Sequence, residues 1–245
     1  MREKRRGIRR GRRPPGGDPR GGPPRAAPRR RGERPEAHIR DMPAPRSVKG
    51  MIAPSFGRIF AWPYRFGLAG LYRMGVRPWQ LTLLSLAGNV VVGWLLLTGR
   101  RLLPGLLLAP AGMLDIFDGG VARLRGEASR GGAFLDSVLD RASDVIVFGC
   151  LFWSLAGQGD RTTALLTLVA LVASFLVSFV RAEAEALGLT LTEGLVQRLE
   201  RYVALMIGLT APGMLRPVMA LLAALGLVTA AQRLWSAWRG AAARR

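Results

Sequence analysis

"MLDIFDGGVARLRGEASRGGAFLDSVLDRASD", residues 113–144, lies between long apolar runs and yet carries Asp115, Asp118, Asp136, Asp140 and Asp144. An ionised carboxylate at the edge of a bilayer is costly unless something balances it. Suppose the flanking runs are helices joined by a short turn near Gly126. The helical period then puts Asp115, Asp118, Gly119 and Ala122 on one face of the first, with Arg123 at its edge. On the second, Gly132, Asp136 and Asp140 follow in steps of four and form one stripe. In an antiparallel hairpin centred near residue 127, Asp115 is level with Asp140 and Asp118 with Asp136. Four carboxylates then converge on one point.

Converging carboxylates cannot all ionise without positive charge among them. One arginine does not balance four. One or two divalent ions do, and Mg²⁺ or Mn²⁺ suits a set of hard oxygen ligands. Gly119, Gly120 and Ala122 leave the helix surface bare, either for close helix packing or for a flat base or a phosphate to reach the metal. Helix-end pairing with Arg123, Arg125 and Arg130 would account for any one of these aspartates, but not for the ordered set.

The rest of the chain places this hairpin in a membrane. Of 245 residues, 49% are apolar, and the net charge is +20. Residues 1–50 hold 17 Lys/Arg against 5 Asp/Glu. This Arg-, Pro- and Gly-rich stretch cannot bury a core and is expected to be a disordered cytoplasmic tail. It lacks the apolar middle of a secretory signal. It reads as solvated or as drawn to anionic headgroups, and nucleic acid is not expected because no stacking aromatics accompany the arginines. "SFGRIFAWPYRFGLAGLYRMG" (55–75) predicts an amphipathic helix at the membrane interface, kinked or interrupted at Pro63. Six apolar stretches follow, at about 78–99, 102–124, 132–157, 162–186, 197–213 and 214–238, each near the length of a membrane span. The expected fold is therefore an all-α integral membrane domain over 51–240, with six transmembrane helices behind an interfacial one. Arg123, Arg125, Arg130, Arg181, Arg198 and the basic tail would share the cytoplasmic side, leaving Arg100, Arg101, Arg161 and Arg216 opposite. Cys150 is the single cysteine, so no disulfide forms within the chain, and the single histidine, His38, reads as solvated.

The pattern Asp-x2-Asp-Gly-x2-Ala-Arg-x8-Gly-x3-Asp-x3-Asp is met by Asp115, Asp118, Gly119, Ala122, Arg123, Gly132, Asp136 and Asp140. It resembles the CDP-alcohol phosphotransferase family of integral membrane enzymes, over roughly residues 55–238. "VRPWQLT" (76–82) is similar to the usual start of that family's first span. The resemblance implies a CDP-linked lipid donor, such as CDP-diacylglycerol, and release of CMP. It implies that Asp115, Asp118 and Asp136 hold two Mg²⁺ or Mn²⁺ ions. Asp140 would be the general base and would also touch metal. Gly119, Ala122, Arg123 and Gly132 would line the CDP pocket. The enzyme would be a homodimer, for whose close helix packing Ala170, Ala173 and Ser174 are candidates, in a bacterial inner membrane with site and termini cytoplasmic.

"LDSVLDRASD", "SFVRAEAEALGL" (178–189) and "GLVQRLER" (194–201) resemble the phosphatidylinositol-phosphate and archaetidylinositol-phosphate synthase branch. There, basic residues bind the phosphate of inositol 1-phosphate, and Arg141, Arg181 and Arg198 are the matching residues here. Glu183 and Gln197 depart from that branch, which usually has a basic residue and Glu there. Glycerol 3-phosphate is the alternative acceptor. Of other classes, a transporter would spread its carboxylates through the bilayer rather than cluster them at one depth. A noncatalytic scaffold would not need the intact pattern. Asp144 lies a turn beyond it and is expected to act more mildly, through a nearby arginine.

Overall fold

Every apolar stretch read from the sequence is helical in a computed structural model of the chain. It describes residues 53–190 and 198–242, with side chains from Pro63 to Thr190 and from Glu200 to Ala242; the expected basic tail lies outside them. The helices are α1 (Ala53–Arg73), α2 (Pro78–Leu97), α3 (Leu102–Arg125), α4 (Arg130–Gly157), α5 (Arg161–Ala186), α6 (Arg198–Thr210) and α7 (Leu215–Ala242). No strand occurs among the described residues. α1 runs through Pro63 without the expected interruption.

Local chemistry sets the helix ends. Pro78 opens α2, where its missing N–H costs nothing, and the Gln80 side chain accepts from the Arg77 N–H at 2.8 Å. α3 closes on Gly126 in the left-handed region (φ 66°), with the Glu127 N–H donating to the Ala122 carbonyl at 3.0 Å. α4 starts at once, because the Ser129 hydroxyl accepts from the Gly132 N–H at 3.0 Å. Asp160 caps α5. Bonds from the Thr163 hydroxyl and N–H, and then Arg216, hold its carboxyl below the usual carboxylate range. That cap is present above the ordinary aspartate value and is lost as pH falls through the lowered one.

Six helices close into a ring. α2 packs on α3 and α4, α4 on α5, α5 on α7, α7 on α6, and α6 back on α3, while α1 lies outside the ring against α3. The expected hairpin is thereby corrected: among the described residues, α3 and α4 are joined by a tight turn but do not pack on each other. The small residues of α3 serve other neighbours. A β-carbon at Gly105 would lie 2.9 Å from Leu209 of α6, one at Gly112 would touch Tyr202 of α6 at 3.3 Å, and one at Gly120 would lie 2.8 Å from Leu68 of α1.

The ring interior is filled by Val92, Leu96, Leu108, Phe148, Leu151, Leu205, Met219 and their neighbours. Polar pins cross it: Tyr202 donates to the Asn89 side chain at 3.1 Å, and the Ser85 hydroxyl to the Ala111 carbonyl at 2.9 Å. The outer faces carry exposed Leu, Val and Phe, with Trp94 and Trp153 at one end and Trp79, Trp235 and Trp238 at the other. Apolar flanks between two aromatic levels are the signature of a bilayer. Cys150 is a free thiol at the α2–α4 contact, where a β-carbon at Gly93 would lie 3.1 Å from it.

α2, α3, α5 and α7 are long and apolar enough to cross a membrane. α4 falls outside that set because Asp136, Asp140, Arg141 and Asp144 interrupt its apolar sequence. The described part of α6 has 13 residues, Arg198–Thr210, and starts at the edge of the described residues. The small residues read as a dimer contact face inward instead. Ala170, Ala173 and Ser174 are buried, and a β-carbon at Gly226 of α7 would come within 2.9 Å of that of Ala173. Gly226→Val therefore forces α5 and α7 apart. It is expected to destabilise the protein by about 1–3 kcal/mol, read as a lowered melting temperature in detergent.

Candidate functional site

At one end of the ring, α3 presents Asp115 and Asp118, and α4 presents Asp136 across the gap between them. One carboxylate oxygen of each lies within 4.8 Å of the other two. Asp118 is buried, and Asp115 and Asp136 are half-buried. α2 lies against both helices and supplies an orienting bond: the Thr82 hydroxyl donates to Asp118 Oδ2 at 2.7 Å. A donor set of carboxylate oxygens gathered this closely fits a hard divalent cation such as Mg²⁺ or Mn²⁺.

Small residues shape the surroundings. A β-carbon at Gly119 would meet Arg123 Nη1 at 3.5 Å and no other side chain, so this face of α3 is open. A β-carbon at Gly120 would collide with the Tyr64 hydroxyl. Tyr64 stacks on Phe117 with centroids 5.3 Å apart and planes 5° from parallel, and Arg125 lies 5.6 Å over the Tyr72 ring. These contacts clamp α1 to the back of α3. Burial pushes the Tyr64 phenol up, and Arg123 pulls it partly back.

The other residues read from the sequence fall as follows. Asp140 stands one turn along α4 from Asp136, half-buried, outside the three-oxygen group. Ala122 and Arg123 are half-buried in the last turn of α3, and Gly132 is in the first turn of α4. Arg141 donates to the carbonyls of Ser137 and, at 3.5 Å, of Ser178 on α5. Arg181 pairs with Glu185 at 2.9 Å near the exposed end of α5. Arg198 begins α6, and its side chain and Gln197 lie outside the described residues.

A second charged centre adjoins the first. Arg201 of α6 donates to Asp144 Oδ2 at 2.7 Å, and both side chains are nearly buried (13% and 7% exposed). The Ser174 hydroxyl of α5 donates to the same oxygen at 2.9 Å. Asp144 thus ties α4, α5 and α6 together. Arg233 of α7 is also buried and donates to the Val177 carbonyl at 3.1 Å. Thr82 and Arg233 have no role of their own in the sequence reading, and Ser174 appears there only as a candidate for dimer packing. A polar residue inside an apolar run was the available signal for each.

An all-helical membrane protein with three carboxylates gathered at one end of its helix ring defines a class of membrane-embedded enzymes. The chain belongs to the CDP-alcohol phosphatidyltransferase family, whose model matches residues 76–238. It is 36% identical over 179 residues to a phosphatidylinositol phosphate synthase of Mycobacterium marinum, covering 69% of this chain and 76% of that one. It is 37% identical over 148 residues to an archaetidylinositol phosphate synthase of Methanothermobacter thermautotrophicus, covering 58% and 73%. Among solved structures, it resembles Mycobacterium tuberculosis phosphatidylinositol phosphate synthase with CDP-DAG bound, with a TM-score of 0.64, 34% identity, and 70% and 91% of the two chains covered. The same enzyme in complex with manganese and citrate matches equally well, with a TM-score of 0.64 and 34% identity over 70% of this chain and 87% of that one. The chain is a transferase.

Two substitutions test this geometry. Thr82→Val keeps the volume but removes the bond that orients Asp118. Loss of such a supporting bond is expected to weaken Mn²⁺ binding by roughly 10–100-fold, measured by Mn²⁺ titration of the purified protein. Asp144→Ala leaves Arg201 buried beside an empty partner position and is expected to cost about 3–5 kcal/mol of stability. Replacing both, as Asp144→Ala with Arg201→Met, should recover much of that loss in a double-mutant cycle of thermal unfolding.

Proposed function

We propose that the chain transfers the phosphatidyl group of CDP-diacylglycerol to a hydroxyl of inositol 1-phosphate and releases CMP. The observation that carries this reading is the convergence of Asp115, Asp118 and Asp136 at the spacing of the family pattern. The named activities of the relatives, and the CDP-DAG and manganese held by the solved structures, favour this donor, this acceptor and this ion.

Asp115, Asp118 and Asp136 hold the Mg²⁺ or Mn²⁺ ions, with Thr82 fixing the rotamer of Asp118. Bound there, the ions supply positive charge that balances the carboxylates and polarises the phosphoryl oxygens. Gly119, Ala122, Arg123 and Gly132 line the CDP pocket, and the bare surface at Gly119 gives the cytidine and pyrophosphate room. Arg141, Arg181 and Arg198 are the residues assigned to bind the phosphate of the acceptor, a task suited to the guanidinium fork. Asp144 acts as a positioning residue through Arg201. Asp140 accepts the proton of the attacking hydroxyl. The new bond forms from that oxygen to the lipid-side phosphorus as the bond to CMP breaks, and Asp140 passes its proton to water.

In this reading all six ring helices cross the inner membrane of a bacterium, with α1 at the interface. The charged half of α4 and the start of α6 line the cytoplasmic mouth. The basic stretch at 1–50 lies in the cytoplasm, beside anionic headgroups, and the enzyme is a homodimer.

The test is CMP release by the purified protein from CDP-diacylglycerol, with and without chelator, across a panel of acceptors. Turnover is expected to require Mg²⁺ or Mn²⁺ and inositol 1-phosphate. Asp140→Asn should keep CDP-lipid binding while turnover falls by roughly 10²–10⁴-fold. Full turnover in excess chelator would refute the metal site. Preferred use of glycerol 3-phosphate would replace the acceptor.

A further inference from the structure

The sequence leaves one oddity that catalysis does not absorb. Arg100, Arg101, Arg161 and Arg216 gather at the end of the ring away from the aspartates, and among the described residues Asp160 is the acid that stands with them. The Arg101–Gln158 bond (2.9 Å) and the Arg216–Asp160 pair (3.0 Å) place these loops side by side. Excess arginine on the far side runs against the usual charge bias of a membrane protein.

A cavity of about 540 Å³ opens among these residues. It lies over the C-terminal end of α6, which stops at Thr210. The chain turns through Gly213 (φ 76°) into α7, and the gap is left over the end of α6. Arg101, Asp160 and Arg216 give the cavity its polar rim, and Leu102, Leu209 and Leu215 an apolar wall. The first turns of α3, α5 and α7 and the last turn of α6 border it, so three helix N-termini add partial positive charge against one C-terminus. Arg216 directs two donors to Asp160 and Thr163, and Arg101 directs one to Gln158, out of five on each guanidinium. Two arginines and one aspartate leave a single positive charge.

We propose that this cavity seats the head group of an anionic phospholipid from the leaflet opposite the aspartates. Arg101 and Arg216 take the phosphate, and the leucine wall takes the start of the acyl chains. One phosphodiester neutralises the site. A choline head group brings its own cation into a rim that is already positive, so zwitterionic lipid is the poorer ligand. This inference rests on the membrane setting alone and is independent of the acceptor assigned above.

The experiment uses the full chain purified in detergent. Thermal stabilisation and retained lipid, by native mass spectrometry, are measured with phosphatidylglycerol, phosphatidylcholine and inorganic phosphate. The same is done for Arg101→Gln and Arg216→Gln. Phosphatidylglycerol is expected to bind best, and each substitution to weaken it about tenfold, as loss of a charge-assisted bond does, with CMP release in the same preparation unchanged. Should Arg216→Gln loosen the Asp160 cap and unfold, Arg101→Gln, which leaves that cap intact, decides. The proposal is overturned if phosphatidylcholine stabilises equally, if inorganic phosphate alone reproduces the effect, or if an active Arg101→Gln protein retains phosphatidylglycerol at wild-type affinity.

Discussion

Three carboxylates within 4.8 Å of one another repel. At an effective dielectric of about 20, each pair of full charges at that distance costs about 3–4 kcal/mol. A scaffold that keeps them together in the absence of counter-charge has to be stiff where they are attached. α3 is accordingly held from three sides. α2 grips it through Ser85 and Thr82, α6 through Tyr202 against Gly112, and α1 through the stacked Tyr64 and Phe117. The separation of α3 from α4 follows from the same need. With α2 against both and no direct packing between the two among the described residues, the carboxylates of Asp115, Asp118 and Asp136 meet across the gap.

The Asp144–Arg201 pair is the complement of that arrangement. Here opposite charges are buried, and the cost is desolvation rather than repulsion. Its value lies in register: one carboxylate of α4 engages Ser174 on α5 and Arg201 on α6. Repulsive and attractive centres thus lie about two turns apart on α4, and the same helix face serves both.

The site was legible in the sequence wherever its chemistry is local. The fixed spacing of Asp115, Asp118 and Asp136 placed them on neighbouring helices, and the turn near Gly126 that joins those helices falls where it was read. What crosses between distant segments was not legible. Thr82 lies 36 positions from Asp118, and Arg201 lies 57 from Asp144. Apolarity also misled. It continues from α6 through residues 211–213 towards α7 and hides where the helix stops. Ala173 reads as available to a partner until Gly226 is seen against it. The hairpin was half right: the carboxylates meet, but the helices that carry them do not.

The order of helices around the ring has a consequence for assembly. α2 and α3, and then α4 and α5, are neighbours in the chain as well as in space and can pair as they leave the ribosome. α6 pairs with α7, its neighbour in the chain, but it also packs on α3, and its Tyr202 bonds to Asn89, 113 residues earlier. Until it docks, the Asn89 amide and the face of α3 at Gly105 and Gly112 have lipid or water where protein belongs. α6 and α7 therefore close the circle last, around an aspartate end whose three carboxylates are carried by α3 and α4 alone.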